Sequence, residues 1–151
     1  MPAQSSGQPR QPRETNAELV SNLRRAVLMT SRRLRAERAG GVTESQYSVL
    51  AHLSCEGECT PSDLAELECV SAPSMTRTVA ALETAGLVER RPHPDDGRQV
   101  LVRISDEGTA VIAATRRRRN AWLTQRLGAL SPDERDALAR AADILRRISA
   151  R

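Results

Sequence analysis

Lysine is absent from this 151-residue chain, and so is phenylalanine; Tyr47 and Trp122 are its only aromatic residues. Without Lys there is no P-loop phosphate clamp and no Schiff-base chemistry. With two rings there is no platform for stacking unpaired bases, which argues against an RNA-binding sheet or a single-strand binder. A core so poor in rings must be built from Leu, Val, Ile and Ala, which favours packed helices. No apolar run reaches the ~18 residues that a membrane-spanning helix needs. The motifs H-E-x-x-H, G-x-S-x-G and a Gly-rich phosphate loop are all missing, and two His leave few general bases. These absences argue against an enzyme. The paired acids Asp95-Asp96 do not change that, because they fall in an exposed turn where no pKa tuning is expected.

Cysteine is scarce too. Cys55, Cys59 and Cys69 make an odd count of three, with no signal peptide ahead of them. Free thiols in a reducing cytoplasm are therefore expected.

What is present is arginine. All 23 basic residues are Arg against 19 acids, giving a net charge of +4. Guanidinium is planar, permanently charged, and bonds phosphate or guanine bidentately. A nucleic-acid partner suits this excess, although charge alone does not establish one.

Residues 1–13 are Pro, Gln, Ser and Arg with almost nothing apolar, which predicts a disordered, solvated tail. From Thr15, the positions Leu19, Leu23, Val27 and Leu34 share one helical face up to about Ala39, where Gly40-Gly41 signals a stop. Thr43 and Gln46 form a capping box for a second helix, with Val49, Leu50 and Leu53 inward and an end near Gly57. Thr60-Pro61 opens a short third helix with Leu64, Ala65 and Leu67 inward. After a turn of about three residues, Ser71 caps a fourth helix over 72–85, with Val79 and Leu82 buried and Gly86 as terminator. Two short helices joined so tightly predict a helix-turn-helix.

The next segment is not helical. Residues 87–91 predict a strand, Pro92 to Gly97 a turn, and Val100, Val102 and Ile104 a second, half-buried strand. Such a hairpin after a helix-turn-helix is a wing. Ser105 then caps a long helix through Leu127, with Val111, Ile112, Thr115, Trp122, Leu123 and Leu127 on its apolar side. Ser131-Pro132-Asp133-Glu134 starts the last helix, whose Leu138, Ala141, Leu145 and Ile148 form a coiled-coil-like seam. The fold class is thus mainly α with a small β-hairpin, a winged helix-turn-helix flanked by N- and C-terminal helices.

That order of elements, with L-x-x-x-G-L-V-x-R over Leu82 to Arg90 and D-x-R over Asp96 to Arg98, resembles the MarR family of bacterial transcription regulators. One departure concerns the wing, where many relatives read D-R-R and this chain has Asp96-Gly97-Arg98. The resemblance implies a homodimer. Residues 14–41 and 106–151 would dimerise, and 42–105 would bind double-stranded DNA. The recognition helix 72–85 would enter the major groove, and the wing 87–104 the adjacent minor groove. It also implies a pseudo-palindromic operator, repression as the commoner outcome, and a small-molecule effector whose binding residues are unknown. No cofactor and no membrane are implied.

On this frame the candidate DNA-binding residues are Ser71, Ser74, Thr76, Arg77, Arg90 and Arg98. Arg77 suits guanine O6/N7, and Arg98 suits the negative potential of a narrow minor groove. The hydroxyls lie where a helix N-terminus favours phosphate. Ser71 could instead serve only as a cap, and Arg77 could lie bonded to Asp96. Asp96 is expected to pin Arg98 or Arg77 rather than touch DNA. Adjacent strand residues point oppositely, so at most one of Arg90 and Arg91 faces DNA. The run Arg116–Arg119 wraps a whole helix circumference and reads as a solvated surface with internal pairing.

A second reading rests on His52, Cys55, Cys59 and Cys69, spaced H-x2-C-x3-C-x9-C. These are soft ligands for a metal, or thiols for a redox sensor, with Cys59 near a helix N-terminus and so expected to have a lowered pKa. The spacing is no zinc ribbon, and the peroxide-sensing members of the family usually keep their Cys near the first helix, where this chain has none. Tyr47 and Trp122 read as core or interface, and His93 as a turn residue.

Overall fold

The computed structural model describes residues 15–150, so the expected tail over 1–13 lies outside the described residues. The chain divides into two units, Met1–Arg33 and Leu34–Arg151. The elements run α1 (Asn16–Ala36), α2 (Glu44–Glu56), α3 (Pro61–Leu67), α4 (Ala72–Thr84), β1 (Val88–Pro92), β2 (Val100–Ile104), α5 (Asp106–Gly128) and α6 (Pro132–Ser149). This is the mainly helical, single-hairpin architecture expected.

The capping chemistry sets most helix starts. Thr43 with Gln46, Thr60 with Asp63, and Ser131 with Glu134 each form a reciprocal capping box. At α6 the Ser131 backbone N–H and hydroxyl hold the Glu134 carboxyl below the usual carboxylate range. Ser71 differs from these. It occupies the N-cap position of α4, but its side chain makes no capping hydrogen bond.

The core lies within the second unit. Val49, Leu50 and Leu53 of α2, Leu64 of α3, Met75, Val79 and Leu82 of α4, and Val102 of β2 are all buried. Steps of four and three residues put Met75, Val79 and Leu82 on one stripe of α4. Leu67, expected inward, is 51% exposed; it is the last residue of α3, and the chain turns away directly after it. β1 and β2 pair antiparallel, with Val88 opposite Ile104 and Arg90 opposite Val102.

α1 ends at Ala36, three residues earlier than its apolar pattern suggests. Beyond the helix, the Ala39 N–H donates to the buried Thr115 hydroxyl at 3.0 Å. Two Arg of the run on α5 donate to backbone carbonyls at and just beyond this end. Arg119 Nε donates to Leu34 O and Arg118 Nη1 to Arg38 O, both at 3.1 Å. Arg119 also lies over the Tyr47 ring, 4.4 Å from its centroid. The run is therefore more than a solvated surface, since half of it ties backbone.

α3 and α4 both end in the same hydrogen-bond pattern. Val70 N–H bonds Ala65 O and Cys69 N–H bonds Glu66 O; likewise Leu87 N–H bonds Leu82 O and Gly86 N–H bonds Glu83 O. This Schellman arrangement needs a left-handed residue, and Gly86 (φ 72°) provides it without strain. At the helix-turn-helix turn the same position is held by Cys69, with φ 52°. A side chain there costs about 1–2 kcal/mol, against about 0.5–1 kcal/mol of extra chain entropy for Gly. Cys69→Gly should therefore stabilise the protein by about 0.5–1 kcal/mol, read as a higher urea midpoint at unchanged slope. A lower midpoint would show that the Cys69 side chain contributes packing its exposure does not suggest.

Candidate nucleic-acid interface

The outward face of α4 follows from its core stripe. Arg77 is two residues from Met75 and two from Val79, so it lies about 200° around the helix from each and points away from the core. It is exposed, and among the described residues its guanidinium has no hydrogen bond or ion pair. The alternative of an Arg77–Asp96 bond is not realised. Asp96 instead organises the wing tip. Its carboxylate accepts from the Arg98 backbone N–H at 3.0 Å and from the Gln99 side-chain amide at 3.1 Å. Asp96 thus fixes the Arg98 backbone and leaves the guanidinium exposed without a described partner.

The other Arg residues of the wing are occupied. Arg103 Nε donates to Glu89 at 2.8 Å, Arg91 pairs with Glu58, and Arg90 Nε lies 3.0 Å from Glu83 Oε2. As expected for neighbours on a strand, Arg90 and Arg91 go to different partners, Glu83 on α4 and Glu58 in the loop between α2 and α3.

A groove of about 590 Å³ runs between the start of α3, α4 and the wing, with Thr60, Thr76, Arg90 and Arg98 on its walls. Three of the expected residues, Thr76, Arg90 and Arg98, meet there. Arg77, Ser71 and Ser74 are not part of its lining. The Thr76 hydroxyl donates to Ala72 O at 2.9 Å, so it offers acceptor capacity until it rotates. Glu83 was not singled out in the sequence. The available signal was spacing: it is seven residues after Thr76, almost the same helical face, and seven before Arg90.

The Cys and His residues do not converge. His52 pairs with Glu68 at 2.8 Å, and Glu68 also accepts from the Ser48 hydroxyl at 2.6 Å. Cys55 and Cys69 are exposed, and among the described residues no group of three or more His, Cys, Asp or Glu is placed to hold a metal. Cys59 forms an isolated backbone bridge with Val102. Its thiol pKa is raised, not lowered, because burial and then the nearby Asp63 and Glu56 carboxylates disfavour the thiolate. The short α3 N-terminus brings its own capping Asp63, which adds to burial in opposing the expected activation.

Fold and interface together define a winged helix-turn-helix protein. The MarR family profile matches residues 42–100. An HTH-type transcriptional regulator of Mycobacterium bovis is 47% identical over 133 residues, covering 87% of this chain and 93% of the relative. The multiple antibiotic resistance protein MarR of Salmonella typhimurium is 34% identical over 86 residues, covering 57% of this chain and 60% of that one. A crystal structure of a candidate transcriptional regulator from Pseudomonas aeruginosa superposes with a TM-score of 0.81 at 31% identity, covering 93% of this chain and 99% of the other. The chain belongs to the MarR family of transcriptional regulators.

Proposed function

We propose that this protein is a homodimeric, sequence-specific repressor, non-enzymatic and cytoplasmic, that binds a pseudo-palindromic operator in double-stranded DNA. Residues 42–105 form the DNA-binding domain, and 14–41 and 106–151 the dimerisation helices. Arg77 reads bases in the major groove, Arg98 enters the minor groove, and Ser71, Ser74, Thr76 and Arg90 hold backbone phosphates. The observation that carries this reading is the charge pairing. On the recognition helix and wing, Arg77 and Arg98 keep exposed guanidinium groups free of described partners, while Arg90, Arg91 and Arg103 are paired. Free, exposed guanidinium groups on a projecting helix and a hairpin tip are what a groove-reading surface requires.

A dimer is supported by the terminal helices, each taken by itself. α1 exposes Leu19, Val20, Leu28 and Met29, and α6 exposes Leu138, Ile144 and Ile148. Exposed apolar side chains in this number call for a covering surface. The small-molecule effector is carried over from the family likeness, and no residue is assigned to it.

The test is to pass fragmented genomic DNA over the immobilised protein and sequence what is retained, with sedimentation equilibrium run alongside. The expected outcome is enrichment of an inverted repeat with half-sites about one helical turn apart, bound by a species of twice the 16.5 kDa chain mass. Uniform recovery of fragments would overturn the proposal.

A further inference from the structure

We infer that Glu83 is a specificity-determining residue, an internal counter-ion that keeps Arg90 neutralised until an ordered phosphate takes its place. The inference rests on the DNA-binding reading above. Glu83 stands on the recognition helix itself, one ion-pair distance (3.0 Å) from Arg90 Nε. Both groups are partly exposed, with 31% of the Arg90 side chain and 45% of the Glu83 side chain open to solvent. Arg90 also lines the groove beside Thr76 and Arg98. It is therefore placed to meet a DNA strand, yet its charge is already balanced from the protein side.

The consequence follows from counter-ion release. A cation that neutralises a phosphate steepens the salt dependence of binding by about 0.9 in log–log slope. Arg90 held by Glu83 contributes little of this on a loosely seated duplex, because binding must first give up the Glu83 contact. On a well-seated duplex a phosphate stands close enough for a guanidinium, with its five donors, to bridge the two acceptors. Glu83 so penalises loose binding more than seated binding. Arg91 with Glu58, and Arg103 with Glu89, extend the same neutralisation over the wing. They leave sequence-independent attraction mainly to Arg77 and Arg98.

The experiment titrates a labelled random-sequence duplex of about two helical turns against the full-length protein over a range of salt concentrations. The proteins compared are the wild type, Glu83→Gln, Arg90→Gln and the double variant. Glu83→Gln should raise random-duplex affinity several-fold and steepen the slope by about one per bound protomer. The double variant should match Arg90→Gln, because the effect acts through Arg90. An unchanged slope in Glu83→Gln would overturn the inference. So would a gain that survives in the double variant, since loss of a negative charge anywhere would then suffice. Were the wild type to show no salt-dependent binding at all, the DNA-binding reading itself would fall and this inference with it. Circular dichroism of each variant checks that exposed Gln substitutions leave the fold intact.

Discussion

Arg77→Ala should remove most of the discrimination between operator and random DNA while leaving the fold unchanged. A bidentate Arg–guanine contact is worth about 1–3 kcal/mol of discrimination, roughly 5- to 150-fold for each recognition helix. In the proposed dimer two such helices compound the loss. Arg77 is exposed and has no described partner, so its removal should shift the urea midpoint very little. Arg77→Lys separates charge from geometry. A Lys keeps the point charge but lacks the planar fork, so it should preserve random-duplex affinity and still lose discrimination. Competition titrations of both variants against selected and random duplexes would check this. Full discrimination in Arg77→Ala would move base reading elsewhere on α4 or to the wing.

Gly108→Ala should destabilise the protein by about 2–3 kcal/mol, opposite in sign to helix propensity. Propensity alone favours Ala over Gly in a helix by about 0.8–1 kcal/mol. Here the start of α5 is pressed against the end of the recognition helix. Ser105 N–H donates to Leu87 O at 3.1 Å, its hydroxyl to Gly86 O at 2.7 Å, and Gly108 N–H returns to that hydroxyl at 3.0 Å. A Cβ on Gly108 would fall far inside contact with the Leu87 carbonyl oxygen and stand 2.7 Å from Ile104 Cγ1. Backbone cannot step aside as a flexible side chain could, so the α5–α4 junction must open. Gly128→Ala is the control, because a Cβ there meets nothing within 4 Å. It should be neutral or slightly stabilising. Chemical denaturation of the two variants side by side would decide the matter, and a neutral Gly108→Ala would show that the junction is not tight.

The fold was readable because its punctuation is chemical. Thr43-x-x-Gln46, Thr60-Pro61 and Ser131-Pro132 name helix starts by hydrogen bonds and fixed φ that need no tertiary context. The placement of α4's buried stripe followed from periodicity, which also sends Arg77 outward. What stayed hidden depends on partners distant in sequence. The ion pair between Arg90 and Glu83, and the anchoring of Leu34 and Arg38 carbonyls by Arg119 and Arg118, need the folded arrangement to appear. Cys59 is instructive for a different reason. The helix N-terminus beside it was visible, but so was Asp63, the capping acid that works against a thiolate. Leu67 satisfied the apolar pattern of α3, yet a helix of seven residues has no further turn to bury it.

The most direct test of sequence-specific recognition is one ratio, the affinity for the most enriched genomic fragment over that for its scrambled sequence. Fluorescence anisotropy on the wild-type protein at about 150 mM salt measures it. The expected ratio is roughly a thousand or more, as for a specific regulator with its operator. Equal, weak affinity for both duplexes would contradict base reading by this helix and wing.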